Sequence, residues 1–420
     1  VDGEEFVFSN PLQDSVFLST ADWSVSQRLP TGHRPPRADS YLVSVNGTAL
    51  LTHWGAPSYL AWDWIESSDA PLETSKGGDL AAYYLLYAEV PDSLEPPPWT
   101  SRFYTEGGEA NFRSGWDEDA RWLMLAAEHG APRKTLHDHV DGTSFQAAAY
   151  GDYLLIDTGY YKPVDLDNAK TAHAPSHNVL LIDGQGAPDK GLLNNFGDAD
   201  AWLENIVQRD VIEWADARME FEQAALVRGV GMVRGRYFVV ADRLSTDLTA
   251  EREHRWRLHL NAGFDAGGAW WLGEAGPGLE RERGAAQVYL GSTGQDLAFE
   301  EPPYSPLTAP HVHLFDGDRV ARDHAVVDGV VRGVAPGFLA VVAPWKVGET
   351  GGPDAPLDVQ ALDAGLDAVA WRVRGDGFDD VVWLRGPTAA ERLQVDGATL
   401  TSTAAVLWTS LDGEDALVIE

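Results

Sequence analysis

The sequence predicts a mostly β chain of α+β class, with a short, partly helical N-terminal region ahead of a large antiparallel β-sandwich. Three observations predict it. From Trp99 onward, apolar and polar residues alternate over short runs, the period of a strand that buries one face. Gly 42 and Pro 24 supply turns for many short strands. The run Glu95-Pro96-Pro97-Pro98 forbids helix and holds an extended polyproline linker, which places the boundary between residues 1–98 and 99–420.

Residues 1–40 read as irregular, with a loop over 29–36, Leu-Pro-Thr-Gly-His-Arg-Pro-Pro. Two or three helices fit between Tyr41 and Val90, the clearest over 79–88, where Asp79 is placed to cap the first turn. Strands are expected over 121–125, 153–156, 236–240, 254–260, 338–342 and 380–384, from alternating or continuous apolar runs bounded by turn residues. The runs 404–408 and 416–419 read as a closing hairpin. There is no fixed-period repeat and no low-complexity tract.

A chain of 420 residues is longer than one hydrophobic core usually spans, in keeping with two regions. Its 44% hydrophobic residues and 16 Trp exclude a disordered chain. The formal net charge of −34 opposes general binding to nucleic acid or to an anionic membrane surface. A polyanionic substrate would need a local basic cleft, and Arg113, Arg121, Arg133 and Lys134 could line one. They read equally as solvated surface charge. Scarce lysine with abundant aspartate resembles proteins adapted to high salt. The absence of Cys excludes disulfides and thiolate ligands. No apolar run approaches the roughly 20 residues that span a bilayer, so no membrane insertion is expected. The start at Val1 reads as processing or truncation.

The chemistry concentrates in 137–178. His137-Asp138-His139-Val140-Asp141 is followed by Ser144-Phe145, then by Asp157-Thr158-Gly159 after an apolar run, then by His177-Asn178. Two histidines two apart on a strand would point the same way. Neutral imidazoles with one carboxylate are donors that zinc accepts. The alternative is three unrelated, hydrogen-bonded histidines near a sheet edge.

The ordered set Arg113-Ser114-Gly115-Trp116, His137-Asp138-His139-Val140-Asp141, Asp157-Thr158-Gly159-Tyr160-Tyr161 and His177-Asn178-Val179-Leu180-Leu181-Ile182-Asp183-Gly184 resembles the β-domain of the heparinase II/III-like polysaccharide lyases, which include alginate and heparan lyases. Tyr237-Phe238-Val239-Val240-Ala241-Asp242-Arg243 and Arg255-Trp256-Arg257-Leu258-His259-Leu260 continue the likeness, which covers 105–265 by motif and 266–420 by strand character. The resemblance implies a structural divalent metal, zinc, on His139, Asp157 and His177. It places His137 toward substrate as the catalytic candidate. His173 is a nearby alternative ligand that lacks a following Asn. Arg113 and Trp116 become candidate substrate contacts, and His259 a structural residue.

Such lyases cleave uronate polymers by β-elimination: a base takes the C5 proton, the carboxylate is neutralised, and an acid protonates the departing O4. A histidine suits either proton role. In the family, the catalytic Tyr and a neutralising Asn or His stand on an N-terminal helical toroid, and only 136 residues precede His137 here. Tyr41, Tyr59, Tyr83 and Tyr84 match no family context. The toroid would then belong to a missing segment or a separate polypeptide, and helices over 41–90 would be its remnant.

The expected function is a lyase-like protein acting on an acidic glycan, in the periplasm or outside the cell. The alternative is a non-catalytic glycan-binding or assembly subunit that keeps the metal-stabilised sandwich. A metal-dependent hydrolase fits poorly, since no general-base Glu stands at a telling spacing. His311-Val312-His313 reads as a surface strand, and Trp54, Trp62 and Trp64 as core more readily than as sugar platforms.

Overall fold

The computed structural model describes residues 15–38, 40, 57–66, 92–130, 138–159, 171–188, 200–260, 270–271, 284–294, 296–300, 311–315, 318–322, 325–347, 357–413 and 415–420. Among the described residues two short helices precede the strands, α1 at Ser15–Ser26 and α2 at Tyr59–Glu66. The helix expected over 79–88 lies outside the described residues. The six strands expected from sequence are all present, and the closing hairpin forms as Val406–Ser410 against Ala416–Ile419. Every strand pair among the described residues is antiparallel.

Three sheets stack as layers. The first has nine strands and contains Glu109–Arg113, Arg121–Ala126, Phe145–Ala149, Asp152–Leu155, Arg252–Leu260 and Ala325–Gly333 side by side. Leu180–Ile182 branches off it, pairing with Arg252–Leu260. The second has seven strands, ordered Trp270–Trp271, Gly284–Ser292, Phe338–Lys346, Tyr237–Thr246, Ala224–Val233, Ile212–Phe221 and Ala201–Gln208. The third, of five strands, runs from Asp358–Leu362 to Ala416–Ile419. The sandwich expected over 99–420 is therefore a stack of three sheets, its last layer built from residues beyond 357.

Period-two geometry explains the stack. Along Tyr237–Thr246, Phe238 and Val240 face the first sheet, while Tyr237, Val239 and Ala241 face the third. Phe338 and Ala340 likewise alternate with Leu339 and Val341. A sheet covered on both faces needs apolar residues at every position, which is why these strands read as continuous apolar runs. Trp214 lies across the neighbouring strand only because Gly229 and Gly231 stand there. A Cβ at either would come within 2.1 and 2.6 Å of the indole.

The N-terminal segment docks on the outer face of the first sheet. Leu29 packs with Trp122, Met124, Ala148, Tyr153 and Ile156. The Trp122 indole donates to the Ser26 carbonyl at 3.1 Å. Beside it the buried Glu109 carboxylate accepts from Trp23 Nε1 at 3.1 Å, from Gln27 Nε2 at 2.9 Å and from Arg37. An unpaired carboxylate at this depth would cost several kcal/mol, so the four donors Trp23, Gln27, Arg37 and Asn111 make the docking specific.

The third layer is held as firmly. Trp408 is buried, its indole donates to Tyr237 Oη at 3.2 Å, and that hydroxyl donates to Asp380 at 2.9 Å. Truncating Trp408 to Ala opens a cavity between the second and third sheets and removes a donor. We expect Trp408→Ala to lower unfolding free energy by about 3–5 kcal/mol in urea titration, and Trp408→Phe by markedly less.

Candidate metal centre

The strand Asp152–Leu155 runs on through Ile156, whose N–H donates to the His259 carbonyl at 3.0 Å, and delivers Asp157 at its end. Asp157 is fixed there by local bonds. Its N–H donates to Tyr153 Oη at 2.8 Å, and its Oδ1 accepts from the Gly159 N–H at 3.0 Å. Gly159 has φ +62°, and a Cβ would meet the Ser40 carbonyl oxygen at 2.9 Å and Pro36 at 3.0 Å. The tight turn after Asp157 therefore requires glycine.

His177 arrives from a single 3-10 turn, Ala174–Ser176, with Pro175 in its first residues. The next residue, Asn178, is a three-way clamp. Its amide nitrogen donates to the carbonyls of Phe145 at 2.7 Å and Ile156 at 3.0 Å, and its amide oxygen accepts from the His259 N–H at 2.7 Å. One side chain thus ties three strands of the first sheet to the segment that carries His177. From the second sheet, Arg228 reaches across the core, paired with Asp242 through two bonds of 2.7 Å. Its third nitrogen donates to the carbonyls of Thr143 at 2.9 Å and Asn178 at 2.7 Å.

His139 comes from the connection between Arg121–Ala126 and Phe145–Ala149, and it is not on a strand. The expectation of a strand carrying both histidines of the pair is corrected here for its described half. The chain at 138–144 is bonded through the Val140 N–H to the Ala172 carbonyl at 2.8 Å and through Thr143 and Ser144 to Ala126 at 2.8 Å each, and it turns at Thr143, φ +67°. An extended ladder cannot pass through that turn. His137 itself lies outside the described residues, as do Arg133 and Lys134.

His139, Asp157 and His177 meet in the interior. All three are buried, and one ligand atom from each lies within 4.8 Å of the others. The two imidazole rings are 5.3 Å apart between centroids. His177 Nδ1 lies 2.6 Å from Asp157 Oδ2, and His177 Nε2 is buried with no hydrogen-bond partner. Burial alone would push the Asp157 carboxyl up, but the facing charge of His177, its hydrogen bond and the charge of His139 hold it below the ordinary carboxylate range. Burial would likewise lower His177, and the Asp157 charge and hydrogen bond outweigh it, so the imidazole titrates above its usual value. In the absence of a metal the two form an imidazolium–carboxylate pair.

A borderline divalent ion fits this set. The donors are two nitrogens and one oxygen, a buried nitrogen has no partner, and hydrogen bonds outside the triad fix both the carboxylate and the His177 segment. His173, half-buried, is not part of the triad. A second group, Glu128, Asp138 and Asp141, has carboxylates within the same reach, and Glu128 is also paired with Arg37.

The remaining sequence candidates fall elsewhere. Arg113 is 2% exposed, its guanidinium lying 4.1 Å from the centroid of the half-buried Trp116 ring. Trp116 in turn packs edge-on against Trp62 and Trp99 at 5.6 and 5.2 Å. Trp62 is core, as expected, whereas Trp54 and the Trp64 side chain lie outside the described residues. Arg121 stacks on Tyr150 at 4.6 Å. His259 is structural, its ring nitrogen 3.1 Å from the Pro175 carbonyl. His311 and His313 sit on a two-stranded hairpin, His311–Phe315 with Asp318–Arg322. Tyr59 is half-buried and donates to Asp22, while Tyr41, Tyr83 and Tyr84 lie outside the described residues. Sequence reading missed Arg228 as a brace, because a single Arg in an apolar strand carries no pattern of its own.

Residues 96–354 match the family model described as Heparinase II/III-like, C-terminal. The chain belongs to this family. Among solved structures, it is similar to a heparinase III gene product at 12% identity and TM-score 0.60, over 89% of this chain and 53% of that one. A second heparinase III structure matches at 15% identity and TM-score 0.58, over 89% and 55%. The heparan sulfate lyase HepC of Pedobacter heparinus, as a mutant, matches at 15% and TM-score 0.57, over 86% and 51%. At these identities the likeness shows a shared fold. The chain spans about half the length of the solved structures it matches. No curated protein matches the sequence. The family's model ends at 354, so it takes in the first two sheets and stops short of the third.

Three measurements test the centre. Elemental analysis of the purified chain should give about one zinc per chain, and none in His177→Ala or Asp157→Asn. Because zinc takes a neutral imidazole and Asp157 holds His177 protonated, the rise in melting temperature on adding zinc should grow as pH climbs above about 6.5. Without metal the sign reverses: the stability due to the raised His177 is full below about 6.5 and is lost as pH rises through its folded value. Asn178→Ala should weaken zinc binding by about 10–100-fold, read by chelator competition, while leaving all three donors in place.

Proposed function

We propose that this chain is the sandwich part of a polysaccharide lyase that cleaves an acidic, uronate-containing glycan by β-elimination. The observation that carries the reading is the family match over 96–354, in which the sequence motifs bring His139, Asp157 and His177 into one buried cluster. In this reading the resident metal is zinc, held by those three residues, and it supplies structural cross-linking between segments that are far apart in sequence. The residues of the chain do the rest. His139 and His177 pin the connections on either side of Asp157, and Asn178 and Arg228 lock those connections to both sheets. His137, two residues before His139, is the proton-transfer residue facing the glycan. The C5 proton leaves to a base, its electron pair forms the C4=C5 double bond, and the C4–O4 bond breaks as an acid protonates O4. A histidine with an ordinary pKa serves either step near neutral pH.

The periplasm or the exterior is the fitting compartment for a glycan-degrading protein. The rest of the catalytic apparatus would come from a helical toroid, on a longer form of the chain or on a separate polypeptide. The alternative reading is a glycan-binding or assembly subunit without activity that keeps the metal-stabilised sandwich.

Ultraviolet absorbance separates the two readings, since elimination leaves a conjugated double bond. Folded, zinc-loaded protein is mixed with heparan sulfate, alginate, hyaluronan and polygalacturonate. We expect absorbance to rise with one of them, and His137→Ala to lower the rate by about 100-fold or more while zinc content stays the same. A flat trace with every polymer would sink the lyase reading for this chain and leave the binding subunit.

A further inference from the structure

We propose that Arg28, Arg34 and Arg113, gathered around Asp63 where the two helices meet the first sheet, form a binding site for a small oxoanion of the sulfate or carboxylate kind. Arg113 is also a residue that the resemblance places toward substrate, but the inference does not require the lyase reading to hold.

The residues come from four places: Arg28 and Arg34 follow α1, Asp63 lies within α2, and Arg113 ends the strand Glu109–Arg113. All four are buried, at 6%, 4%, 0% and 2% exposure. Asp63 accepts from Arg34 Nη2 at 2.7 and 2.6 Å and stands 3.8 Å from Arg28 Nη1. Arg28 Nη2 donates to the Glu66 carbonyl at 3.0 Å. Asp63 is thus the buried carboxylate that these guanidinium groups share, in a chain whose net charge is −34.

The donors are not used up. Arg113 has one bond from its guanidinium, Nη1 to the Gly115 carbonyl at 3.2 Å, and its Nε and Nη2 are buried with no partner. Arg34 Nε is in the same state. Buried N–H groups are almost always paired, so three orphaned donors on two neighbouring cations mark the place of a missing acceptor. Aromatic rings hold the cations in position, with Arg28 over Trp62 at 4.7 Å and Arg113 over Trp116 at 4.1 Å. A guanidinium presents a planar fork that matches an oxoanion, which is why clusters of this type select sulfates, phosphates and carboxylates.

The like charges of the cluster act on one another. Burial is the main force lowering the Arg113 guanidinium, and the charges of Arg28 and Arg34 add to it, while Asp63 and Asp117 oppose. Arg28 is drawn down to about 10, chiefly by burial, with Asp63 and Glu66 opposing and Arg34 adding. Asp117 is exposed to water, so Asp63 is the buried counter-charge that both arginine environments share.

The test is calorimetric titration of the full chain with sodium sulfate, in chloride buffer of matched ionic strength, alongside melting curves. We expect saturable binding of sulfate to the wild-type chain and a melting temperature that rises with saturation. Arg113→Met, which keeps the apolar stem on Trp116, should abolish it. Asp63→Asn should tighten sulfate binding by roughly tenfold, since it removes a buried negative charge that would face the anion. That gain is what a merely structural ion pair would not produce. Absence of saturable binding in the wild-type chain overturns the proposal, and so does unchanged binding in Arg113→Met. If Arg113→Met does not fold, Asp63→Asn decides: affinity no better than wild type overturns it. Glucuronate is the second probe. If it competes with sulfate, the site admits the acid group of a sugar; if only sulfate binds, the site takes a free inorganic oxoanion. Either result upholds an oxoanion site.

Discussion

The guanidinium of Arg228 is the interaction on which the site most depends. It stands fully buried between two sheets, neutralised by Asp242 on the adjacent strand, and its remaining donors fix two carbonyls of the opposite layer. A buried charge pair of this kind is expensive to assemble from water, and removing one member strands the other. What it provides is register. Thr143 follows His139 by four residues and Asn178 comes directly after His177, and both are held to the second sheet through one side chain. Asn178 completes the lattice by binding the carbonyls of Phe145 and Ile156 and the amide of His259. The ligand geometry is therefore set by the two sheets together rather than by the local loop.

The same economy recurs at the other interfaces. Arg257 pairs with Asp328 across neighbouring strands of the first sheet and donates to the Pro175 carbonyl, which supports the turn before His177. Arg234 pairs with Asp380 to join the second and third sheets. Arg243 pairs with Asp216 within the second sheet. An acidic chain with few cations has placed many of them inside, each beside a carboxylate. The cluster around Asp63 departs from this one-to-one rule, which is why it stands out.

Much of the fold was legible because a strand's two-residue period is written directly in the side chains. Runs such as 121–125 and 254–260 announced themselves, and so did the closing hairpin. The layering was less legible. Tyr237–Ala241 and Phe338–Val342 are apolar at every position, and such a run does not say whether it is covered by one sheet or two. The spacing of His139, Asp157 and His177 exposed the donors through their chemical type, but not the loop that carries His139. That loop is set by a turn at Thr143 whose φ no sequence pattern reveals. Arg28, Arg34 and Asp63 were invisible as a group, since only the docking of two helices on the first sheet brings them to Arg113.

The stacking order also has a kinetic side. The second sheet lies between apolar layers on both faces, with residues 237–242 and 338–345 of its central strands buried throughout, while the first and third each have one face turned outward or covered by lesser elements. Opening such a stack must proceed from the outside inward, because the central amides cannot meet water until a neighbouring layer has lifted. Amide protons of Val239, Val240, Val341 and Val342 thus belong to the last cooperative unit to exchange with solvent. Asp157 and the segment that carries His177 are bonded to the first sheet. Tied to the second sheet through Arg228 as well, the centre opens only when those two layers part.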